Sequence, residues 1–289
     1  MLASITSGPF DLSIEEDLQK MKRDYWDKPF RRMVVMGESN AFGMCASDPR
    51  NEWVQTAANL LRDFQDEPLH VINNSIPANV ISPDSPGYAS LPAIGKPSAT
   101  ERYATDLIAP DPDLAILAYG LNDSRCGNPL NSFIGDLEHI VSEAMKKMNA
   151  LIVLTSPYWN TQYDEALWNS LDPIPEWAVG EYELFAKTGR DLVWSYVIEI
   201  EKLADKYGCL FVDLFTPTEG CTWLLHDDHC HYNDVGQRVL GHIVFNTIAC
   251  NCSCIGEKSR RIASHGDFDI SNTGGTQGMS RMIAGWLER

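Results

Sequence analysis

Short, uninterrupted apolar runs alternate with longer stretches of helical periodicity along this chain. Such runs stand at residues 33–36 (Met-Val-Val-Met), 69–73, 113–120, 150–155 and 209–214. The first reads as a strand buried on both faces, as in a parallel sheet, and the others as the strands that follow it. Between them, residues 52–64 place Trp53, Ala57, Leu60, Leu61 and Phe64 at helical spacing. Residues 99–108, 133–148, 190–207 and 233–250 read as helices too. Ahead of the first strand, residues 11–27 form a further predicted helix, with Leu12, Ile14, Leu18, Met21 and Trp26 as its apolar positions and Pro29 as its stop. Residues 82–97, rich in Pro, Gly and Ser, read as a surface loop.

Strands alternating with helices imply βαβ units, right-handed crossovers and one parallel sheet with helices on both faces. The pattern breaks at 158–187, an insertion holding Trp159, Tyr163, Trp168, Trp177, Tyr182 and Phe185 among acids and prolines. Most of these rings are expected to pack the insertion onto the core. After residue 250 comes an extension, 251–289, polar over 259–277 and ending in a predicted short helix at 279–287. The organisation expected is one domain over 1–289: a helical arm at 1–29, a core at 30–250, and the extension.

Composition narrows the function classes. With 289 residues and 44% hydrophobic positions, one large α/β domain is favoured over two small ones. Forty acidic against 23 basic residues give a formal net charge of −17, which repels nucleic acid and anionic headgroups. No apolar run approaches the roughly 20 residues a membrane helix needs, and residues 1–16 lack the basic-then-apolar order of a secretory signal. A cytoplasmic location is therefore expected, without integral membrane association. Neither a G-x-G-x-x-G turn nor a phosphate-cradling G-x-x-x-x-G-K loop is present. The eight cysteines do not have the spacing of a disulfide framework. Three form Cys250-Asn251-Cys252-Ser253-Cys254, which with no partnering C-x-x-C reads as free thiols at a helix end rather than a metal site.

Four polar clusters follow strand ends. Ser39 follows the first strand, the turn 73–79 the second, and Gly120, Asn122 and Asp123 the third. The fourth is His226-Asp227-Asp228-His229-Cys230-His231. A parallel sheet gathers such loops at its carboxyl edge. Alone, Ser39 reads sooner as the cap of a following helix than as a nucleophile. Together, the clusters supply the parts that acyl transfer requires. Ser39 can be the nucleophile and His231 the base. Asp228, three residues earlier, can hold the other ring nitrogen. Asn122 and the backbone N–H groups of Ser39 and Ala78 can stabilise an oxyanion. Asp123 reads as ordering its turn. The loop's histidines and aspartates could instead ligate zinc, but they lack helical H-x-x-x-H spacing, and no metal is expected.

These residues give the chain its likeness to a known group. Gly37-Glu38-Ser39, Asn73-Asn74-Ser75-Ile76-Pro77-Ala78, Gly120-Leu121-Asn122-Asp123 and Asp228-x-x-His231 with the trailing Asn233 and Gly236 resemble, in order, the four blocks of the SGNH hydrolases, the GDSL esterase and lipase superfamily. The resemblance implies a three-layer, flavodoxin-like α/β fold with a sheet of about five strands. It also implies a serine esterase with Ser39, Asp228 and His231 as its triad and Ser39, Ala78 and Asn122 as its oxyanion hole, needing no metal or organic cofactor. The order of the residues excludes an α/β-hydrolase, in which the serine sits in a G-x-S-x-G elbow and the acid lies well before the histidine. Two positions depart from the pattern. Glu38 stands where an Asp is usual, and Ala78 stands where the family has Gly. If that backbone takes a positive φ, Ala78 must bear strain. These departures leave open an inactive scaffold that binds a glycan or lipid, and the same triad could serve an acyltransferase. Acetylated carbohydrate, short aliphatic ester, thioester and lysophospholipid all remain candidate substrates. The sequence does not read out an oligomeric state.

Overall fold

The computed structural model describes residues 23–90, 92–173, 175 and 189–258. The apolar runs form five parallel strands: β1 (Arg32–Gly37), β2 (His70–Asn73), β3 (Leu114–Ala118), β4 (Leu151–Thr155) and β5 (Leu210–Val212), in the order β2-β1-β3-β4-β5. Strand order reverses between β1 and β3. That reversal opens a crevice beyond their carboxyl ends, where open α/β sheets take their ligands. Gly37 faces Ala118 across the two strands, and a Cβ on it would sit 2.7 Å from the Ala118 carbonyl oxygen. Only glycine allows so close an approach at the end of β1.

Alternation along the strands builds two cores. Met33 and Val35 point to one face with Ile116 and Val153. They pack against Trp53, Val54, Ala57 and Leu61 of α2 (Trp53–Asp63) and Leu240, Val244 and Ile248 of α8 (Asp234–Asn251). Val34 and Met36 point to the other face with Ala115, Leu117 and Leu154, against Phe133, Leu137 and Ile140 of α5 (Leu130–Lys147) and Tyr196 and Ile200 of α7 (Arg190–Tyr207). Each large side chain buried this way contributes about 1.5–3 kcal/mol. The result is the expected three-layer flavodoxin-like α/β arrangement.

Three local expectations differ from the structure. Residues 23–27, the end of the arm helix, are not helical. Instead Tyr25 donates its N–H to the Asn251 carbonyl and Trp26 stacks on Phe30, so pairing with α8 replaces helical hydrogen bonds. Residues 11–22 lie outside the described residues, as do 259–277 and 279–287. The helix expected at 99–108 begins as α3 (Ala99–Tyr103), then widens into a π-helical turn, with the Ala109 N–H on the Ala104 carbonyl. The loop 82–97 has no regular element among its described residues, yet Ser82, Ser85 and Ala93 are buried. Small side chains let it settle against Cys126, whose Sγ lies 3.5 Å from Ser85 Oγ.

In the insertion, Trp159 and Tyr163 are buried in the core and Trp168, on α6 (Glu165–Asn169), is half-buried. Trp177, Tyr182 and Phe185 lie outside the described residues. Cys252 and Cys254 are buried free thiols just past α8, and Cys250 is an exposed one. Among the described residues, no helix is long and apolar enough to cross a membrane.

Candidate active site

β1 stops at Gly37 and the chain turns at once into a single helical turn, α1 (Ser39–Phe42). Ser39 is its first residue, at the mouth of the β1/β3 crevice. Ser39 Oγ lies 2.8 Å from His231 Nε2. On the other side of the imidazole, Nδ1 lies 2.5 Å from Asp228 Oδ2. Because a carboxylate only accepts, Nδ1 carries the proton and Nε2 is left as the acceptor for the serine hydroxyl. The second carboxylate oxygen, Oδ1, accepts the backbone N–H groups of Cys230 and His231 at 3.0 and 2.9 Å. Burial alone would push the Asp228 carboxyl up. The hydrogen bond and charge of His231, with those two N–H groups, outweigh burial and hold it below the usual carboxylate range. Cys45, from the loop after α1, also touches this carboxylate, with Sγ 3.6 Å from Oδ2. Burial and the Asp228 charge push that thiol up to about 12, so it stays protonated and donates.

The loop bearing His231 is closed at its base. Leu225 and Tyr232 form an antiparallel bridge, and the His226 N–H bonds to the His231 carbonyl. Asn233 then caps α8 with its side-chain oxygen on the Gly236 N–H, while its amide nitrogen donates to the carbonyls of Trp223 and Leu225. Tyr232 ties the same loop to the insertion by donating to the Trp159 carbonyl. The Asn and Gly that trail the histidine thus hold the loop in place.

Opposite Ser39 stands the wall built by residues 73–79. Ile76 to Asn79 make a reverse turn, closed by the Asn79 N–H on the Ile76 carbonyl, with Pro77 at its second position. Ala78 takes the third position at φ +58°, the left-handed region. The position thus requires what glycine gives freely, and Ala78 holds it at a cost of about 1–2 kcal/mol. The turn is clamped from outside. Asn79 Oδ1 accepts from Arg102 and from the Tyr119 hydroxyl, and Arg102 also donates to the Asn74 carbonyl. Lys96 donates to the Pro77 carbonyl. Ala78→Gly removes the left-handed penalty and returns about 0.4–1 kcal/mol in unfolded-chain entropy. The expected result is a Tm higher by about 2 °C in calorimetry. A lower Tm would contradict the strain.

The third wall is the turn after β3. Gly120, at φ +115°, swings the chain into α4 (Leu121–Arg125). Asn122 donates its side-chain N–H to the Asn79 carbonyl at 3.0 Å, joining two walls. Glu38 fixes this turn from below: its two oxygens accept the N–H groups of Gly120 and Asn122 at 2.9 and 3.0 Å. Burial and the charge of Asp123 push the Glu38 carboxyl well up, against the pull of those N–H groups and of Arg125. The extra methylene of Glu38 therefore reaches both donors without disturbing Ser39. Asp123 accepts from the Ile81 N–H and from Asn128, away from the serine, and burial pushes it up to about 6.

Ser39, Ala78, Asn122, Asp228 and His231 all line one open cavity of about 690 Å³. Sequence reasoning missed Arg125, which lines the same cavity and donates to Gln162 from an almost fully buried position. It also missed Gln237, which donates to Asn40 and accepts the Trp53 N–H, pinning α1 against α2 and α8. No local pattern marks either residue, because their partners are distant in sequence.

Known proteins share the family pattern and the fold. A sequence model of the GDSL-like Lipase/Acylhydrolase family matches residues 35–239. No curated protein matches the chain. Among solved structures, TesA superposes with a TM-score of 0.56 at 16% identity, covering 76% of this chain and 98% of TesA. The lipase/acylhydrolase from Enterococcus faecalis gives 0.54 at 16%, over 80% of this chain and 96% of its own. A catalytic mutant of Axe2, an acetylxylan esterase from Geobacillus stearothermophilus, gives 0.55 at 17%, over 76% and 94%.

Proposed function

This chain belongs to the GDSL-like Lipase/Acylhydrolase family, and we propose that it is a carboxylic ester hydrolase acting through an acyl-enzyme on Ser39. The observation that carries the proposal is the unbroken line from Ser39 Oγ through both nitrogens of His231 to Asp228. His231 Nε2 takes the serine proton as Oγ attacks the ester carbonyl. Asp228 keeps the imidazole in the tautomer that can do so and stabilises the imidazolium that forms. The oxyanion is met by the N–H groups of Ser39 and Ala78 and the amide of Asn122. His231 then gives its proton to the departing alkoxide, and later draws one from the water that releases the acid.

The substrate proposed is a small ester with a short acyl or O-acetyl group, on an aliphatic alcohol or a carbohydrate. The open cavity and the likeness to an acetylxylan esterase support this class. The inactive-scaffold reading rested on Glu38 and Ala78. Glu38's two hydrogen bonds and the left-handed backbone of Ala78 weigh against it. A fluorophosphonate probe should label the protein at a single site, mapped to Ser39 by peptide mass spectrometry. Hydrolysis of p-nitrophenyl esters should fall as the acyl chain lengthens. An unlabelled Ser39 in folded protein would favour the scaffold, and acyl transfer to an added sugar in preference to water would favour the transferase.

A further inference from the structure

Cys45 belongs to none of the four sequence blocks, yet the fold brings it to the triad's carboxylate from 183 residues away. His226 is a second neighbour. It lies two residues before Asp228, and its Nδ1 faces the Asp228 N–H at 3.4 Å. One ligating atom from each of Cys45, His226 and Asp228 lies within 4.8 Å of the other two. Zinc bonded to a thiolate, an imidazole and a carboxylate separates its donors by roughly 3.4–3.6 Å in a tetrahedron. Closing by about 1 Å, within reach of side-chain rotation, would bring the three to that geometry. His226 is exposed and the other two are half-buried, so an ion can enter from solvent. The charge of −17 draws cations toward the surface.

We propose that Cys45, His226 and Asp228 form an inhibitory site for a thiophilic divalent cation of the zinc class. As the S–metal bond forms, the thiol proton passes to solvent, and water fills the fourth position. The ion takes a carboxylate that His231 needs. Asp228 Oδ2 is the acceptor of His231 Nδ1–H, and bonded to a cation it no longer holds the imidazole toward Ser39. Inhibition rests on the triad reading above; binding does not. Hard cations such as magnesium gain nothing from a thiol and should not act here.

The full chain, stripped of metal, tests this in two ways. Calorimetry with zinc chloride alone should show one binding event that Cys45→Ser and His226→Gln each abolish or weaken at least ten-fold. Zinc held elsewhere, for example by exposed Cys250, is common to all three proteins and cancels. In p-nitrophenyl acetate hydrolysis, saturating zinc should cut the rate at least ten-fold. Measured against each variant's own metal-free rate, the half-inhibiting concentration should rise at least ten-fold in both variants, with magnesium chloride inert throughout. Equal zinc binding in the three folded proteins, or equal inhibition, overturns the proposal. If no esterase activity exists, calorimetry alone still decides the site. If the enzyme is active and the binding event is insensitive to both substitutions, the site falls and the hydrolase stands.

Discussion

Ser39→Ala should lower kcat for p-nitrophenyl acetate by about 10⁴- to 10⁶-fold, the range expected when a triad nucleophile is removed. KM should change little, because the cavity walls and the oxyanion donors do not depend on the lost Oγ. Residual turnover would come from the remaining donors and from water activated by His231. The variant should fold normally. Oγ meets His231 at the cavity surface, and solvent can replace it there, so no buried polar group is stranded. Pre-steady-state measurement sharpens the result: the wild type should release a burst of p-nitrophenol equal to the enzyme concentration if deacylation is slow, and Ser39→Ala none. A loss below 100-fold in folded protein would place the nucleophile elsewhere.

Asp228→Asn should cost about 10⁴-fold in kcat. The backbone dictates how the new amide sits. The N–H groups of Cys230 and His231 demand an oxygen at the Oδ1 position, so the NH₂ must take the Oδ2 position and face His231 Nδ1. Two donors cannot face each other. Nδ1 gives up its proton and accepts, Nε2 becomes the protonated nitrogen, and it now donates to Ser39 where it must accept. The base is present, in place and in the wrong tautomer. The fold should survive, since both backbone N–H groups keep their acceptor. Asp228→Ala strands those N–H groups and should lower Tm as well, at about 1–3 kcal/mol for each group left buried and unpaired. A variant Asp228→Asn within ten-fold of wild type would remove Asp228 from the mechanism.

The strands were legible because β1, β3 and β4 are buried on both faces, which leaves apolar runs in the sequence. Their order in the sheet is written in no single strand, and the reversal between β1 and β3 explains why four distant blocks converge. Other features depend on contacts that no local pattern encodes. Trp26 stands eight residues after Leu18, a helical spacing, but its ring stacks on Phe30 and its segment pairs with Asn251, so tertiary contact overrides the periodicity. The left-handed turn at Ala78 was foreseen only as a condition. The Arg102, Tyr119 and Asn79 clamp that enforces it joins three chain segments. Glu38 looked like a minor departure beside the serine, and its length is what reaches Gly120 and Asn122 together. Cys45 carried no signal, since its partner Asp228 lies almost at the other end of the core.

Ser39 and His231 stand 192 positions apart, the first at the end of β1 and the second on the loop just before α8. A chain emerging from a ribosome therefore presents the proposed nucleophile 192 residues ahead of the proposed base. On the proposed triad, nothing draws the proton from the serine until α8 docks beside α2. Turnover, on that reading, waits for this docking. The delay before the first product appears on refolding is a clock for that closure, readable without any spectroscopic label.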